Sequence, residues 1–113
     1  PYQAPVGTKA RRGRRGEVGR LIVIEPKDRQ GTAFALDTEI TMGRAAGCVI
    51  QITDDTYISS LHARVFRDPS GVATVEDLGS TNGTYLNSEQ LVRPQAIRPG
   101  DRIQLGNTIL EAQ

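Results

Sequence analysis

Three short groups of polar residues in this 113-residue sequence carry hydrogen-bond donors suited to a tetrahedral oxyanion. They are Gly43–Arg44, the pair Ser59–Ser60 ahead of His62, and the run that contains Thr81, Asn82 and Gly83. Arginine supplies a charged fork of donors, and hydroxyl, amide and backbone N–H groups supply neutral ones. The sequence therefore indicates an anion-binding site, provided that the fold brings the three groups together.

The residues that catalysis or a metal ion would need are sparse. His62 and Cys48 are the single histidine and cysteine, so we expect no metal site and no cofactor. Cys48 opens an apolar stretch and is predicted to be a small buried side chain. Ser59 precedes His62 by three residues, but no nucleophile elbow surrounds it and no third catalytic partner is identifiable. A Ser-His hydrolase thus remains a formal alternative, but we expect a binding protein and not an enzyme.

A pair of carboxylates, Asp54–Asp55, also stands near these residues. Adjacent residues of a strand or turn point apart, so the pair does not suit general acid and base catalysis. We interpret both as solvated turn residues.

The elements that must position these groups are short strands separated by turn residues. Residues 21–24 and 32–36 predict a hairpin, and Asp68–Gly71 has the proline and glycine positions of a type I turn, so its flanking strands should pair. No stretch keeps a convincing helical period. Further strands are predicted at 40–42, 49–52, 62–66, 72–76, 84–86, 90–92, 102–105 and 108–110. The sequence thus predicts an all-β sandwich or barrel.

The net charge of +1 conceals two unlike parts of the chain. Residues 1–20 carry six basic and one acidic side chains, a net +5, and residues 21–113 carry eight basic and twelve acidic ones, a net −4. Residues 1–19 have no apolar period, so we predict a flexible basic tail or linker at 1–19 and one domain at 20–113. One interpretation of the tail is a solvated linker. The alternatives are a segment that contacts an anionic membrane and a segment that contacts nucleic acid. An aromatic content of 4% disfavours nucleic acid, because few side chains can stack on bases.

The sequence contains neither an apolar run of about 18 residues, as a membrane-spanning helix requires, nor an apolar segment near its start that reads as a secretory signal. A single cysteine fits a reducing compartment. We therefore expect a cytoplasmic protein. The chain begins at Pro1 without an initiator Met, so we expect a segment upstream, and any membrane tether would be there.

Taken in order, the three polar groups resemble the motifs of forkhead-associated (FHA) domains: Gly-Arg, then Ser-x-x-His, then a Thr-Asn-Gly loop. The resemblance covers roughly residues 21–113. It implies a β-sandwich of about eleven strands whose loops at one end bind phosphothreonine in an extended peptide. By this resemblance Arg44 and Ser59 contact the phosphate, Ser60 and Thr81 are further donors, and Asn82 holds the peptide main chain.

The same resemblance gives other residues supporting or specificity roles. Gly43 and His62 would be structural, the histidine bracing the Ser59 loop through a hydrogen bond, and Gly83 would be a turn residue with positive φ. Tyr57 stands where some relatives carry an arginine that reads an acidic side chain three positions after the phosphothreonine. Tyrosine cannot do that, so we expect an apolar or neutral preference there.

A second departure from the family pattern concerns the charge of the pocket. Ser60 and Leu61 stand where many relatives carry a basic residue. The pocket should therefore be less positive than is usual in the family.

The resemblance implies a non-catalytic phosphothreonine adaptor in Ser/Thr kinase signalling, similar to actinobacterial single-FHA proteins of cell division or the cell envelope. Its expected partners are Thr-phosphorylated proteins, among them a transmembrane Ser/Thr kinase or its substrates, and Thr8 of the tail is a candidate for phosphorylation itself. No nucleic-acid partner is expected. The alternatives are a sandwich that binds proteins independently of phosphate, or a tail that contacts nucleic acid or membrane.

Overall fold

The structure, a computed structural model, describes residues 17–113, in which eleven β-strands and one short 3-10 turn at Lys27–Arg29 form a β-sandwich. The predicted all-β class and the strand number implied by the family resemblance are confirmed. The strands are β1 Arg20–Glu25, β2 Ala33–Ala35, β3 Glu39–Gly43, β4 Ile50–Gln51, β5 Ala63–Arg67, β6 Ala73–Asp77, β7 Thr84–Leu86, β8 Glu89–Gln90, β9 Gln95–Ala96, β10 Arg102–Leu105 and β11 Thr108–Ala112.

Two sheets make up the sandwich, with strand orders β2-β1-β11-β10-β7-β8 and β4-β3-β5-β6-β9. Both predicted hairpins are confirmed, since Leu21 pairs with Phe34 and Val65 pairs with Val75 across the Asp68–Gly71 turn. All pairs are antiparallel except that of β3 with β4. Strand β9 was not predicted, because both of its residues are exposed and it carries no apolar signal.

The core follows the two-residue period of the strands. Alternate residues point inward, such as Ile40 and Met42 of β3 or Ile103 and Leu105 of β10, and each of these four is at most 1% exposed. Burial of one such side chain stabilises the fold by about 1.5–3 kcal/mol. Cys48 is buried, as predicted. This packing gives the loops a rigid scaffold.

The β3–β4, β4–β5 and β6–β7 loops leave the five-stranded sheet at one end, which we call the apex. Strand β3 ends there at Gly43, β5 begins there, and β6 ends there, because β5 is antiparallel to both neighbours. We call residues 44–49, 52–62 and 78–83 the first, second and third apical loops. The opposite end of the sandwich is the base.

The chain enters the sandwich at the base. Val18 is fully buried and its carbonyl accepts a hydrogen bond of 2.9 Å from Arg67, which ends β5 at the base. The N–H of Gly19 donates to the carbonyl of Gln113 over 2.8 Å, so both ends of the described chain are adjacent. Val18 and Gly19, which the sequence assigned to the tail, thus belong to the folded part. The rest of the predicted tail that precedes Glu17, including Thr8, lies outside the described residues.

Within residues 17–113 no helix has the length and apolar composition needed to cross a membrane. In the same part of the chain, no three His, Cys, Asp or Glu residues cluster where they could hold a metal ion.

Candidate phosphate-binding site

Gly43 lets the first apical loop lie directly against the second. The N–H groups of Arg44 and Ala45 donate to the carbonyls of Ser59 and Ser60, over 3.1 and 3.0 Å. A Cβ at position 43 would lie 2.2 Å from the Ser60 carbonyl oxygen, far inside van der Waals contact. Glycine is therefore required for this close approach.

The Arg44 side chain is exposed at the apex. Among the residues that the structure describes, its guanidinium makes no hydrogen bond and no ion pair, whereas Arg29, Arg64 and Arg102 each pair with a carboxylate. An exposed guanidinium with all its donors free is available to an anion.

His62 connects the second and third apical loops from below. It is fully buried; its Nδ1 accepts a hydrogen bond from the Ser59 N–H over 3.0 Å, and its Nε2 donates to the Gly83 carbonyl over 2.9 Å. These partners assign the proton to Nε2. Both ring nitrogens are thus occupied, and neither is free to accept a proton from the Ser59 hydroxyl.

The Ser59 hydroxyl is oriented by the third apical loop. Its Oγ accepts a hydrogen bond of 3.1 Å from the backbone N–H of Thr81. A hydroxyl whose oxygen already accepts a bond still has its own proton to donate. Ser59 is half-buried, and the side chains of Ser60 and Thr81 beside it are exposed. The apex therefore presents several hydroxyl groups, on the loop that pairs with the backbone of Arg44 and on the loop beyond it.

Asn82 anchors the third loop to the second. Its Nδ2 donates to the carbonyl of Tyr57 over 2.9 Å. Within residues 17–113, the Oδ1 and the second N–H of the Asn82 amide have no partner. Tyr57 is 56% exposed, and with Asn82, Tyr85, Gly106 and Asn107 it lines an open depression of about 240 Å³. This depression adjoins the hydroxyl groups and has room for a side chain.

The third apical loop is built around Asp77, which ends β6. Its carboxylate accepts hydrogen bonds from the hydroxyls of Ser80 and Thr84 over 2.5 and 2.6 Å, and from the N–H groups of Gly79 and Ser80. The Ser80 Oγ in turn accepts from the N–H of Gly83, whose φ is +88°. Burial acts to raise the pKa of Asp77, but the hydrogen bonds from Ser80 and Thr84 outweigh it and leave that pKa below its ordinary value.

The sequence predicted that Asp54 and Asp55 are both solvated turn residues. This prediction is confirmed for Asp54 and is wrong for Asp55. Asp54 is exposed and pairs with Arg29, but Asp55 is only 7% exposed. The Asp55 carboxylate accepts hydrogen bonds from the N–H groups of Tyr57 and Asn107, over 3.1 and 2.7 Å. Asp55 therefore holds the second apical loop to the β10–β11 turn, and no local sequence signal names a partner so distant in the chain.

All the predicted site residues lie at the apex. The predicted contact residues are on the loop surface and the predicted supporting residues lie beneath them: Arg44, Ser59, Ser60, Thr81 and Asn82 above, with Tyr57 at one side, and Gly43, His62 and Gly83 below. The side chains combine one free guanidinium with several hydroxyls and an amide, which is the donor set of an oxyanion site.

Comparison with known proteins identifies the family of this fold. The FHA domain family model matches residues 40–106. The chain is 36% identical over 99 residues to "FHA domain-containing protein FhaB" of Mycolicibacterium smegmatis, covering 86% of this chain and 62% of that protein. It is 39% identical over 87 residues to "Oxoglutarate dehydrogenase inhibitor" of Corynebacterium glutamicum, covering 76% of this chain and 59% of that protein. The chain thus spans less than two thirds of the length of these curated relatives.

A solved structure described as "Structural and functional analysis of phosphothreonine-dependent FHA domain interactions" superimposes with a TM-score of 0.71 at 27% identity, covering 83% of this chain and 93% of that one. The match of the family model to more than half of the chain, together with the relatives above, shows that this chain belongs to the forkhead-associated domain family.

Proposed function

We propose that this domain binds phosphothreonine within an extended peptide and serves as a non-catalytic adaptor. The observation that carries the proposal is the Arg44 guanidinium, which is exposed and unpaired within the described residues, at the same end of the sandwich as the Ser59 hydroxyl. A phosphothreonine carries about −1.5 to −2 charge and three strong acceptor oxygens, which match these donors.

The proposed roles follow from the donors that remain free. Arg44 and Ser59 bind the phosphate oxygens, and the hydroxyls of Ser60 and Thr81 are additional donors. Thr81 acts through its side chain, because its backbone N–H already donates to Ser59. Asn82 uses its Oδ1 and its second N–H to hold the peptide main chain beside the phosphothreonine.

Dependence on phosphorylation follows from the energy of these contacts. A hydrogen bond to a charged group contributes about 1.5–3 kcal/mol, and an unmodified threonine offers no such partner. The loops are held by a buried hydrogen bond of His62 and by partly buried hydrogen bonds of Asp77 and Asp55, so the cost of ordering the complex falls mainly on the peptide.

The partners we propose are Thr-phosphorylated proteins, including a transmembrane Ser/Thr kinase or its substrates, in the cytoplasm. The likeness to a structure described by phosphothreonine-dependent interactions supports the ligand class. The two relatives carry different names, one an FHA domain-containing protein and one an oxoglutarate dehydrogenase inhibitor, so the domain alone does not specify the target. The activity of the whole protein is part of this proposal.

The test is a titration of a degenerate phosphothreonine peptide library and its unphosphorylated twin, followed by fluorescence anisotropy or calorimetry. The variants are Arg44→Ala and, as a matched control, Arg98→Ala, which removes an exposed arginine at the base. We expect wild type and Arg98→Ala to bind only the phosphorylated library, and Arg44→Ala to bind it about tenfold to a hundredfold more weakly, or worse.

Two results would overturn the proposal. Equal binding of both libraries, or of wild type and Arg44→Ala, would favour an interaction through a sheet face that is independent of phosphate. Binding that disappears on deletion of residues 1–16 and falls steeply with salt would favour the basic tail and a nucleic acid or anionic membrane.

A further inference from the structure

The Asn82–Gly83 dipeptide of the third apical loop has a chemical liability that peptide recognition does not explain. The sequence contains asparagines at 82, 87 and 107, and Asn82 is the one followed by glycine. A glycine at the next position leaves its backbone nitrogen unhindered toward the asparagine side chain, which is the arrangement in which succinimide formation is fastest. Asn82 is also exposed to the water that the reaction consumes.

We propose that Asn82 is a deamidation site. The folded third apical loop slows the reaction at Asn82, and opening of this loop accelerates it. In the reaction the Gly83 nitrogen gives its proton to water or hydroxide and attacks Cγ of Asn82. The new N–Cγ bond closes a five-membered succinimide, the Cγ–Nδ2 bond breaks, and Nδ2 takes up a proton and leaves as ammonia. Water then opens the ring at either carbonyl, and yields aspartate or isoaspartate.

Hydrogen bonds on both sides of the Gly83 residue oppose this reaction in the folded domain. The Gly83 N–H, which must lose its proton, donates to the Ser80 Oγ over 2.9 Å. The Gly83 carbonyl accepts from the buried His62 over 2.9 Å. Rotation of the Asn82–Gly83 peptide toward the side chain would break the bond to Ser80.

The attacked group is held as well. Asn82 Nδ2, the leaving group, donates to the Tyr57 carbonyl over 2.9 Å, which directs the side chain toward the second apical loop. Ser80 is itself fixed, because its hydroxyl donates to Asp77 over 2.5 Å. The same hydrogen bonds that shape the binding surface therefore protect the most labile amide of the chain.

Deamidation would also alter the surface. It replaces a neutral amide with a carboxylate at the apex, in the loop whose Thr81 N–H donates to the Ser59 hydroxyl. If the proposed function holds, the added negative charge repels a phosphate and the amide donor for the peptide is lost, so the modified domain binds phosphopeptide much more weakly. The chemistry at Asn82 does not depend on that function.

The test follows deamidation by peptide-level mass spectrometry during incubation at mildly alkaline pH. Folded wild type is compared with the same chain in urea, and Asn87 and Asn107 are internal references. We expect Asn82 to react fastest of the three in urea, and to react about tenfold or more slowly in the folded domain. Equal rates at Asn82 in the folded and unfolded chain would overturn the proposal.

Two serine variants test the role of the Ser80 hydroxyl. Ser80→Ala removes the acceptor of the Gly83 N–H, and should raise the rate at Asn82 to a value between that of folded wild type and that in urea, because the bonds from His62 to Gly83 and from Asn82 to Tyr57 remain. Ser70→Ala is the matched control, because the Ser70 hydroxyl likewise donates to an aspartate in a turn, Asp68, but far from Asn82. It should react like wild type. A folded Ser80→Ala variant whose deamidation rate at Asn82 equals that of wild type would contradict the mechanism. If that variant does not fold, the comparison of folded wild type with wild type in urea still tests the proposal.

A binding measurement on the separated deamidated form keeps the two proposals distinct. If unmodified wild type fails to bind the phosphopeptide, the proposed function is wrong. The deamidation rates at Asn82 still test the second proposal independently.

Discussion

The carboxylate of Asp55 accepts a hydrogen bond of 2.7 Å from the backbone N–H of Asn107, a residue 52 positions later in the chain. This bond joins the second apical loop to the β10–β11 turn. Gly106 permits the approach, because a Cβ there would lie 2.7 Å from the Asp55 carboxylate. The surface around Tyr57 and Asn82 is therefore bounded by the β10–β11 turn, which the sequence predicted as a turn but not as a neighbour of the candidate site.

We predict that Asp55→Asn lowers the free energy of unfolding by about 1–3 kcal/mol, because the amide presents N–H donors where backbone N–H groups need acceptors. Urea denaturation measures this. The neighbouring variant Asp54→Asn is the control and should change stability little, since Asp54 is exposed and pairs only with Arg29. Equal effects of the two substitutions would contradict the structural role of Asp55.

We predict that Gly43→Ala destabilises the domain by about 1–3 kcal/mol, as overpacking does, because the Ser60 backbone must move away from the new methyl group. The shift separates Arg44 from Ser59, so phosphopeptide affinity should also fall. Gly47→Ala adds a methyl group in the same loop with no atom within 4 Å, and should leave both stability and affinity close to wild type. A wild-type midpoint of unfolding for Gly43→Ala would disprove this prediction.

We predict that Asp77 contributes to stability in a manner that depends on pH. Its pKa in the folded domain is lower than the ordinary value near 3.9 of an unfolded chain. The stabilisation is therefore complete above the unfolded pKa, and is lost as pH falls through the lower, folded pKa. Wild type should lose stability as pH falls below about 4, and Asp77→Asn should lose less over the same range.

The comparison for Asp77 needs a second variant, because hydrogen bonds with Arg29 and with Ser70 also lower the pKa of Asp54 and of Asp68. Asp28→Asn serves, since that exposed side chain makes no hydrogen bond within the described residues. Chemical denaturation at several acidic pH values should give Asp28→Asn the same pH slope as wild type. If the stability of Asp77→Asn depended on pH as steeply as that of wild type, the contribution assigned to Asp77 would be refuted.

We predict that Tyr57 favours an apolar or neutral side chain three positions after the phosphothreonine. The exposed ring lines the depression beside Asn82, and offers an acidic side chain no cation. Peptide-array profiling should show no enrichment of Asp or Glu at that position for wild type. Tyr57→Arg should raise the affinity for an acidic peptide about twofold to fivefold, the size of an exposed ion pair. Selection of Asp by wild type would rule out this role.

The strands could be predicted because their chemistry is local. β-Branched and apolar runs between turn residues locate β1, β3, β5, β6, β10 and β11, whereas β9 consists of two exposed residues that pair only because β6 offers an edge. The meeting of the apical loops at one end of the sandwich could not be predicted from local sequence. That Arg44, Ser59 and Thr81 meet depends on the order β3-β5-β6, and only the resemblance to a known family suggested it in advance.

Buried polar residues were hardest to predict. Asp55 looks like any turn aspartate in the sequence, since its burial depends on an N–H group of another hairpin. His62 was assigned a bracing role by resemblance, but its second bond, to Gly83, becomes visible only when the third apical loop is in place.

The hydrogen bond between Gly19 and Gln113 has a consequence for protein engineering. Where the two ends of a folded domain lie side by side, circular permutation and insertion into a host protein are generally tolerated. A short linker from Gln113 to the first described residues would span little distance at the base, and new termini could open at the exposed turn of Pro69 and Ser70. The domain can thus be inserted into a surface loop of a reporter protein with its apical loops directed outward.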